Sequence, residues 1–417
     1  MELPKEIKSI PILVVPFPAQ GHLNQLLHFS LTLASYGFPV HFASSSVHNR
    51  QARDRIRGWS SKSLHNITFH DIPIPSLPSN DVPNPNSAHK FPSHILPVWD
   101  SVLRDIRSPL SSLLHSLSSS TPRLILVHDP LMSFVAQDAA AIPSVETYKF
   151  QCISALTQLS FIWEINGKAS SSEDNEILFS PLEDTIPKVV QDFANVYYVE
   201  TPAEGILLNT CRAIEGPFID LLGKENNYIG KKMFAVGPIS PVIVQSRQRH
   251  ACMEWLDKQP PESVVYVAFG STTTLSDEQI KEIALGLERS KQRFVWVLRD
   301  ADRGDVSVVG ELKRERSLLT DFDERVEGVG MVPRQALMIT EYLKVGVMVR
   351  DWGKRNETTK GEEVEMAVKK VMVDEQGKEI RRRAKELGES IRAATKEGGS
   401  SHEELNAFIA HITRRVE

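Results

Sequence analysis

His22 follows Gly21 shortly after an apolar run, Ile12 to Val15, and opens a stretch of helical periodicity. A histidine so placed could do proton chemistry. It lies beyond the carboxyl end of a buried strand, where open α/β sheets bind their ligands. It also lies at a helix N-terminus, where the macrodipole disfavours the imidazolium, and a neutral imidazole can act as a general base. The plainer alternative is a histidine that only lines or caps the loop. Asp129 repeats the placement after a second run, Leu124 to Val127. A carboxylate bonded to one imidazole nitrogen fixes the tautomer and stabilises the cation formed when the other nitrogen takes a proton. The alternative for Asp129 is a loop aspartate that caps the helix after it. Its neighbour His128 should point elsewhere by strand alternation. A third candidate is Ser271, in Phe269-Gly270-Ser271-Thr272 at the end of a later strand. Small residues at such a turn let phosphate approach backbone N–H groups. The lysine of a P-loop is missing, and a bare Gly-Ser turn is more often structural. Gly328-Val329-Gly330 lacks the third glycine of a dinucleotide fingerprint and follows no clear strand.

These residues need elements to hold them. Leu23, Leu26, Leu27, Leu31 and Ala34 recur at helical spacing after His22, Gly37 ends that helix, and Val40 to Ala43 reads as the next strand. Such a strand–helix–strand unit opens a parallel α/β sheet. Residues 71–97 carry seven prolines and read as a loop. Gly205 to Asn209 is a further strand of this first domain, expected over residues 1–236. Pro238, Pro241, Pro260 and Pro261 mark a linker over 237–261. A second domain, 262–417, restarts with strand 264–269, a helix carrying Ile280, Ile283, Ala284 and Leu287, and strand 294–298. The pattern then weakens. A helix from Arg334 to Lys344 and a strand from Val345 to Val349 come next. From Glu362 onward the chain reads as helical, with Ile380, Ala384, Leu387 and Ile391 as one apolar stripe. Three strands are fewer than a doubly wound nucleotide-binding half needs.

Composition sets bounds on function. The chain has 417 residues, 41% hydrophobic and 24% charged, with a net charge of −5. That suits a soluble protein of two or three domains and argues against a nucleic-acid footprint. No apolar stretch reaches the roughly 20 residues of a membrane span. The N-terminal run is too short and too interrupted by proline for a signal peptide. Cys152, Cys211 and Cys252 are too widely spaced for a metal or redox motif and read as free thiols in a reducing compartment. A cytoplasmic monomer without a bound metal is the expectation.

Several stretches together resemble one family. They are VVPFPAQGHLNQLLHFSLTLASYGFPVHF (14–42), LILVHDPLMSF (124–134), GILLNTCRAIEGPFID (205–220), FAVGPISP (234–241) and CMEWLDKQPPESVVYVAFGSTTTLSDEQIKEIALGLERSKQRFVWVLR (252–299), with FDERVEGVGMV (322–332) and ITEYLKVGVMVRDWG (339–353) later. The chain resembles the plant-type UDP-glycosyltransferases, on the zeatin O-glucosyltransferase branch, over nearly its whole length. The resemblance implies the GT-B fold, two Rossmann-like α/β domains facing a cleft, the first for the acceptor and the second for the donor. It implies inverting transfer of a sugar, glucose by branch, from UDP to a hydroxyl of a small molecule such as a zeatin-type cytokinin. UDP-sugar is then a co-substrate, with no cofactor. His22 matches the family's base and Asp129 its partner. Ser271 matches a serine near the donor phosphates, and Gly21 and Asn24 fall where the acceptor is expected to bind.

One departure from the pattern is severe. The family's donor box starts with Trp-Ala-Pro-Gln, contains His-Cys-Gly-Trp-Asn-Ser and ends with Asp-Gln. Here Val332 runs directly into Pro333-Arg334-Gln335-Ala336, and the chain has no histidine between His250 and His402. By the family's order the box supplies most of one strand and all of the next two, so the second domain should lack about three strands. Strand 345–349 should then pair with 264–269 or leave an exposed edge. Three readings follow: a working transferase with a substitute donor site, a binding module that keeps the acceptor half, or an unstable product of aberrant splicing.

Overall fold

The structure, a computed structural model, describes residues 10–56, 61–73, 104–166, 202–239, 251–269, 275–297, 338–350, 354 and 357–415. The proline-rich stretch beyond residue 73, Ser271 and the Gly328-Val329-Gly330 sequence lie outside the described residues.

Alternation along the first strand sorts side chains to two faces. In β1 (Ile12–Val15), Ile12 and Val14 join one apolar cluster, and Leu13 and Val15 join another. Helix α1 (Gln20–Ser35) lays Leu23, Leu26, Leu27 and Phe29 on the first face. It ends at Gly37, whose φ of 96° suits glycine. Then come β2 (Val40–Ser45) and α2 (Ser46–Arg55), capped by Ser45. Strand β3 (Ile67–Ile72) follows, so Asp71 and Ile72 belong to a strand and not to the expected loop. Helix α3 (Arg107–Ser119) covers the second face. Strand β4 (Leu124–His128) and α4 (Phe134–Ala139) lead to β5 (Val145–Gln151) and α5 (Ala155–Ile165). Strand β6 (Gly205–Leu208), α6 (Arg212–Leu222) and β7 (Lys232–Ala235) finish the sheet. The seven strands are parallel, in the order β3-β2-β1-β4-β5-β6-β7. Strands β3, β5 and β7 were not visible in the apolar pattern.

The second sheet is small. Helix α7 (Ala251–Leu256) lies within the expected linker. Strand β8 (Val264–Val267), helix α8 (Asp277–Ser290, capped by Ser276) and β9 (Arg293–Trp296) follow. Among the described residues this sheet has two parallel strands, β8 and β9. The expected strand 345–349 is not one: those residues join no ladder, and Val349 is exposed. A β-prone sequence becomes a strand only where a partner edge takes its hydrogen bonds. The expected helix 334–344 is described only as a π turn, Met338–Tyr342. Helices α9 (Gly361–Met372), α10 (Glu375–Thr395) and α11 (Ser400–Ile412) close the chain. The stripe of α10 is not a core face: Ile380, Leu387 and Ile391 are half-buried and Ala384 is exposed, while Gly377 and Ala394 are its buried residues.

Helix α11 returns to the first sheet. Phe408 is fully buried among Phe29, Tyr148 and Phe234. The Arg123 guanidinium reaches the Arg414 carbonyl at 2.8 Å, and both arginines meet Glu146. Ser401 Oγ donates to the Gly237 carbonyl at 2.6 Å. A side chain at Gly237 would sit 2.3 Å from the Asn209 backbone, so only glycine fits this crossing.

Candidate active site

The sheet reverses direction of growth between β1 and β4, and ligands of such sheets bind at that crevice. Register pairs Val15 with His128, so the residues after both strands emerge at one edge. Asp129 N–H donates to the Val15 carbonyl at 3.0 Å, and His22 N–H to the Ala19 carbonyl at 2.9 Å. These backbone bonds set the two side chains against each other. His22 Nδ1 lies 2.6 Å from Asp129 Oδ2. The carboxylate is fully buried and the imidazole is 26% exposed, so the ring can be reached from outside while its anchor cannot.

Asp129 makes both contacts weighed for it. Its Oδ1 accepts the Leu131 N–H at 2.9 Å and caps the 3₁₀ turn Pro130–Met132, while its Oδ2 meets His22. Burial pulls the His22 pKa down, but the charge of Asp129 and the hydrogen bond to it outweigh burial, and the net shift is upward. That direction is opposite to the one the helix dipole alone would give. An N–H on Nδ1 facing the carboxylate leaves Nε2 as the nitrogen free to take a proton. Phe17 stands edge-on to the imidazole, its centroid 5.5 Å away. His128 is buried and donates through Nδ1 to the Asp129 carbonyl at 2.9 Å. Burial pushes its pKa down to about 4, so it stays neutral and apart from the pair.

Sequence reading missed three residues here. Cys152, just past β5, places Sγ 3.5 Å from Asp129 Oδ2. Gln25 donates through Nε2 to the Gly21 carbonyl at 2.9 Å and to the Cys152 carbonyl at 3.1 Å. Asn209, just past β6, donates to Gln25 Oε1 at 2.6 Å and accepts the Ile239 N–H at 2.7 Å. The logic that found His22 and Asp129, a polar residue past a strand end, also finds Cys152 and Asn209 once β5 and β6 are in place. Gly21 is exposed, with nothing within 4 Å of where a Cβ would stand. Asn24 follows His22 by two residues, about 200° around the helix, and so leaves from the opposite side. Ser271, expected near the donor, has no described position.

His22, Asp129 and Cys152 offer three possible metal-ligand atoms within 4.8 Å of one another. Donors on one tetrahedral zinc ion stand about 3.3–3.7 Å apart, from bond lengths of about 2.0–2.3 Å. The 2.6 Å contact between His22 and Asp129 is too short for that and has the length of a charge-assisted hydrogen bond. The trio is organised around protons.

Comparison with known proteins agrees with this architecture. Residues 8–241 match the family model described as "Glycosyltransferase, N-terminal domain". A zeatin O-glucosyltransferase of Phaseolus lunatus is 39% identical over 464 aligned positions, covering 99% of this chain and 98% of that one. A zeatin O-xylosyltransferase of Phaseolus vulgaris is 38% identical, covering 99% and 100%. Among solved structures, the Phytolacca americana UGT2 complex with UDP-2fluoro-glucose and pterostilbene aligns with a TM-score of 0.71 at 22% identity, covering 99% of this chain and 100% of that one. The fold is that of the GT-B glycosyltransferases. Among the described residues, no helix is long and apolar enough to cross a membrane.

Proposed function

The chain belongs to the plant UDP-glycosyltransferases, on the zeatin O-glycosyltransferase branch, and from that premise we propose that it keeps the acceptor-binding and proton-accepting half of the family's reaction while its donor half is too short to transfer sugar. The observation that carries the first part is the His22–Asp129 contact of 2.6 Å at the β1/β4 crevice.

In the family's reaction, of which this chain would keep the proton-accepting part, the positions of His22 and Asp129 serve inverting transfer, and with a donor in place the steps run as follows. His22 Nε2 takes the proton of an acceptor hydroxyl. The oxygen attacks the anomeric carbon of the UDP-sugar, and the bond from that carbon to the β-phosphate oxygen breaks. UDP leaves with the electron pair, and the proton remains on His22. Asp129 holds the ring in the correct tautomer and stabilises the imidazolium. No step asks for a metal or other cofactor. The acceptor class is a hydroxylated small molecule, with zeatin-type cytokinins favoured by the relatives' printed names. Glucose is the favoured sugar from the Phaseolus lunatus relative's name, with xylose, from the Phaseolus vulgaris name, as the alternative.

Two observations support a shortened donor half. The match to the Phaseolus lunatus enzyme runs over 464 positions, so at least 47 of them face no residue in a chain of 417. The sequence between His250 and His402 holds no histidine to approach a phosphate. We read the protein as a cytoplasmic monomer that binds the acceptor. Titrating UDP-glucose and zeatin separately into the purified chain tests both halves.

A further inference from the structure

Asp129 Oδ2 faces two donors. His22 Nδ1 lies 2.6 Å from it and Cys152 Sγ 3.5 Å. The carboxylate is fully buried, so each bond to it acts with little competition from water. Burial first, and the charge of Asp129 second, raise the Cys152 pKa well above the ordinary thiol value. The sulfur therefore keeps its proton and can donate it to the carboxylate.

The aim of that thiol is built into the framework. Gln25, from α1, bonds the Cys152 carbonyl at 3.1 Å. Asn209, from the end of β6, bonds Gln25 at 2.6 Å. The Asn209 N–H also reaches the carbonyl of Gln151, the residue before Cys152, at 3.2 Å. Helix α1, β5 and β6 thus fix the backbone at Cys152, and the Asp129 carboxylate is fixed by its cap at Leu131.

We propose that Cys152 is a positioning residue of the dyad: its S–H shares the carboxylate oxygen that receives the imidazole N–H and so limits how tightly Asp129 holds the proton on His22. This rests on the reading of His22 as the base. A base must take a proton from the acceptor and later give it up, so an anchor that binds the imidazolium too tightly slows release. A second donor on the same oxygen draws off part of its charge. Serine would draw off more, because an O–H donor is stronger than an S–H donor. Alanine would draw off none.

Among the described residues, the charged group acting on the His22 ring is Asp129. His128, buried and neutral, faces the Asp129 backbone carbonyl, and Lys149 pairs with His128 across β4 and β5. Neither is altered by changing Cys152.

The experiment follows the ring Cε1–H of His22 by NMR in the histidine-labelled full chain, with H22Q assigning the signal. It compares the parent with C152A, C152S and D129N across pH. No sugar donor is needed. C152A should raise the His22 pKa by about 0.4–0.7 units, the size of a weak S–H···O bond. C152S should lower it below the parent. Alanine and serine shifting it the same way, or neither shifting it, overturns the proposal, because a packing role does not separate the two. If C152A does not fold, C152S alone decides: a fall supports the proposal, and no change or a rise overturns it. D129N tests the dyad separately. If it leaves the His22 pKa unchanged, the base reading fails whatever Cys152 does.

Discussion

Replacing Asp129 by asparagine separates its two duties. Asparagine keeps an oxygen that can accept the Leu131 N–H, so the 3₁₀ cap survives. What is lost is the charged partner of His22, 2.6 Å away and fully shielded from water. A hydrogen bond to a charged group contributes about 1.5–3 kcal/mol. The His22 pKa lies above its ordinary value because Asp129 outweighs burial. With the charge gone, burial alone acts, and the pKa should fall. Stability follows with a definite sign. A histidine whose folded pKa exceeds its unfolded value of about 6.5 contributes fully below that pH, and its contribution fades as pH rises through the folded value. Denaturant unfolding of both proteins should therefore show D129N weaker by about 1.5–3 kcal/mol near pH 5.5, with a smaller gap near pH 9. The asparagine N–H₂ would also favour the tautomer with its proton on Nε2, which cannot serve as base. A gap that is flat with pH, or that grows as pH rises, would refute this reasoning.

Two further outcomes concern the frame. Phe408→Ala empties a fully buried site between α11 and the first sheet and should cost about 3–5 kcal/mol, whereas Met366→Ala, at a site 63% exposed, should change stability by less than about 0.5 kcal/mol; thermal unfolding compares them. Gly286→Ala gains about 1 kcal/mol of helix propensity, but its Cβ would stand 2.5 Å from the Gly361 carbonyl oxygen and from Val364, so a net loss of about 1–2 kcal/mol is expected, while Gly388→Ala, with only the flexible end of Arg392 nearby, should gain up to about 1 kcal/mol; guanidinium unfolding decides between the signs.

What could be read from the sequence depended on how each residue is buried. Strand β1 and helix α1 were legible because Ile12 to Val15 is wholly apolar and the leucines after it recur at helical spacing. Strand β5 was not, although its last five residues are buried. Its sequence, VETYKFQ, carries Glu146, Lys149 and Gln151. Glu146 is stabilised by Arg123 and by Arg414, hundreds of residues away, which no local pattern reveals. Missing β5 hid Cys152 as a site residue and left it looking like an isolated thiol. The opposite error occurred at 345–349, where β-branched residues suggest a strand but no neighbouring edge takes its hydrogen bonds. The His22–Asp129 pair was legible because both follow apolar strands of one sheet. Their contact needed β1 and β4 to be neighbours, and strand order is not written in either segment alone.

We propose that acceptor binding and donor binding have come apart in this chain. Titration calorimetry of the purified protein with UDP-glucose, alongside the Phaseolus lunatus relative, tests it most directly. Millimolar UDP-glucose should give no heat with this chain and saturable heat with the relative, and zeatin should give saturable heat with both. Saturable binding of UDP-glucose to this chain would contradict the account, because it would mean that residues 299–352 supply a nucleotide site of their own.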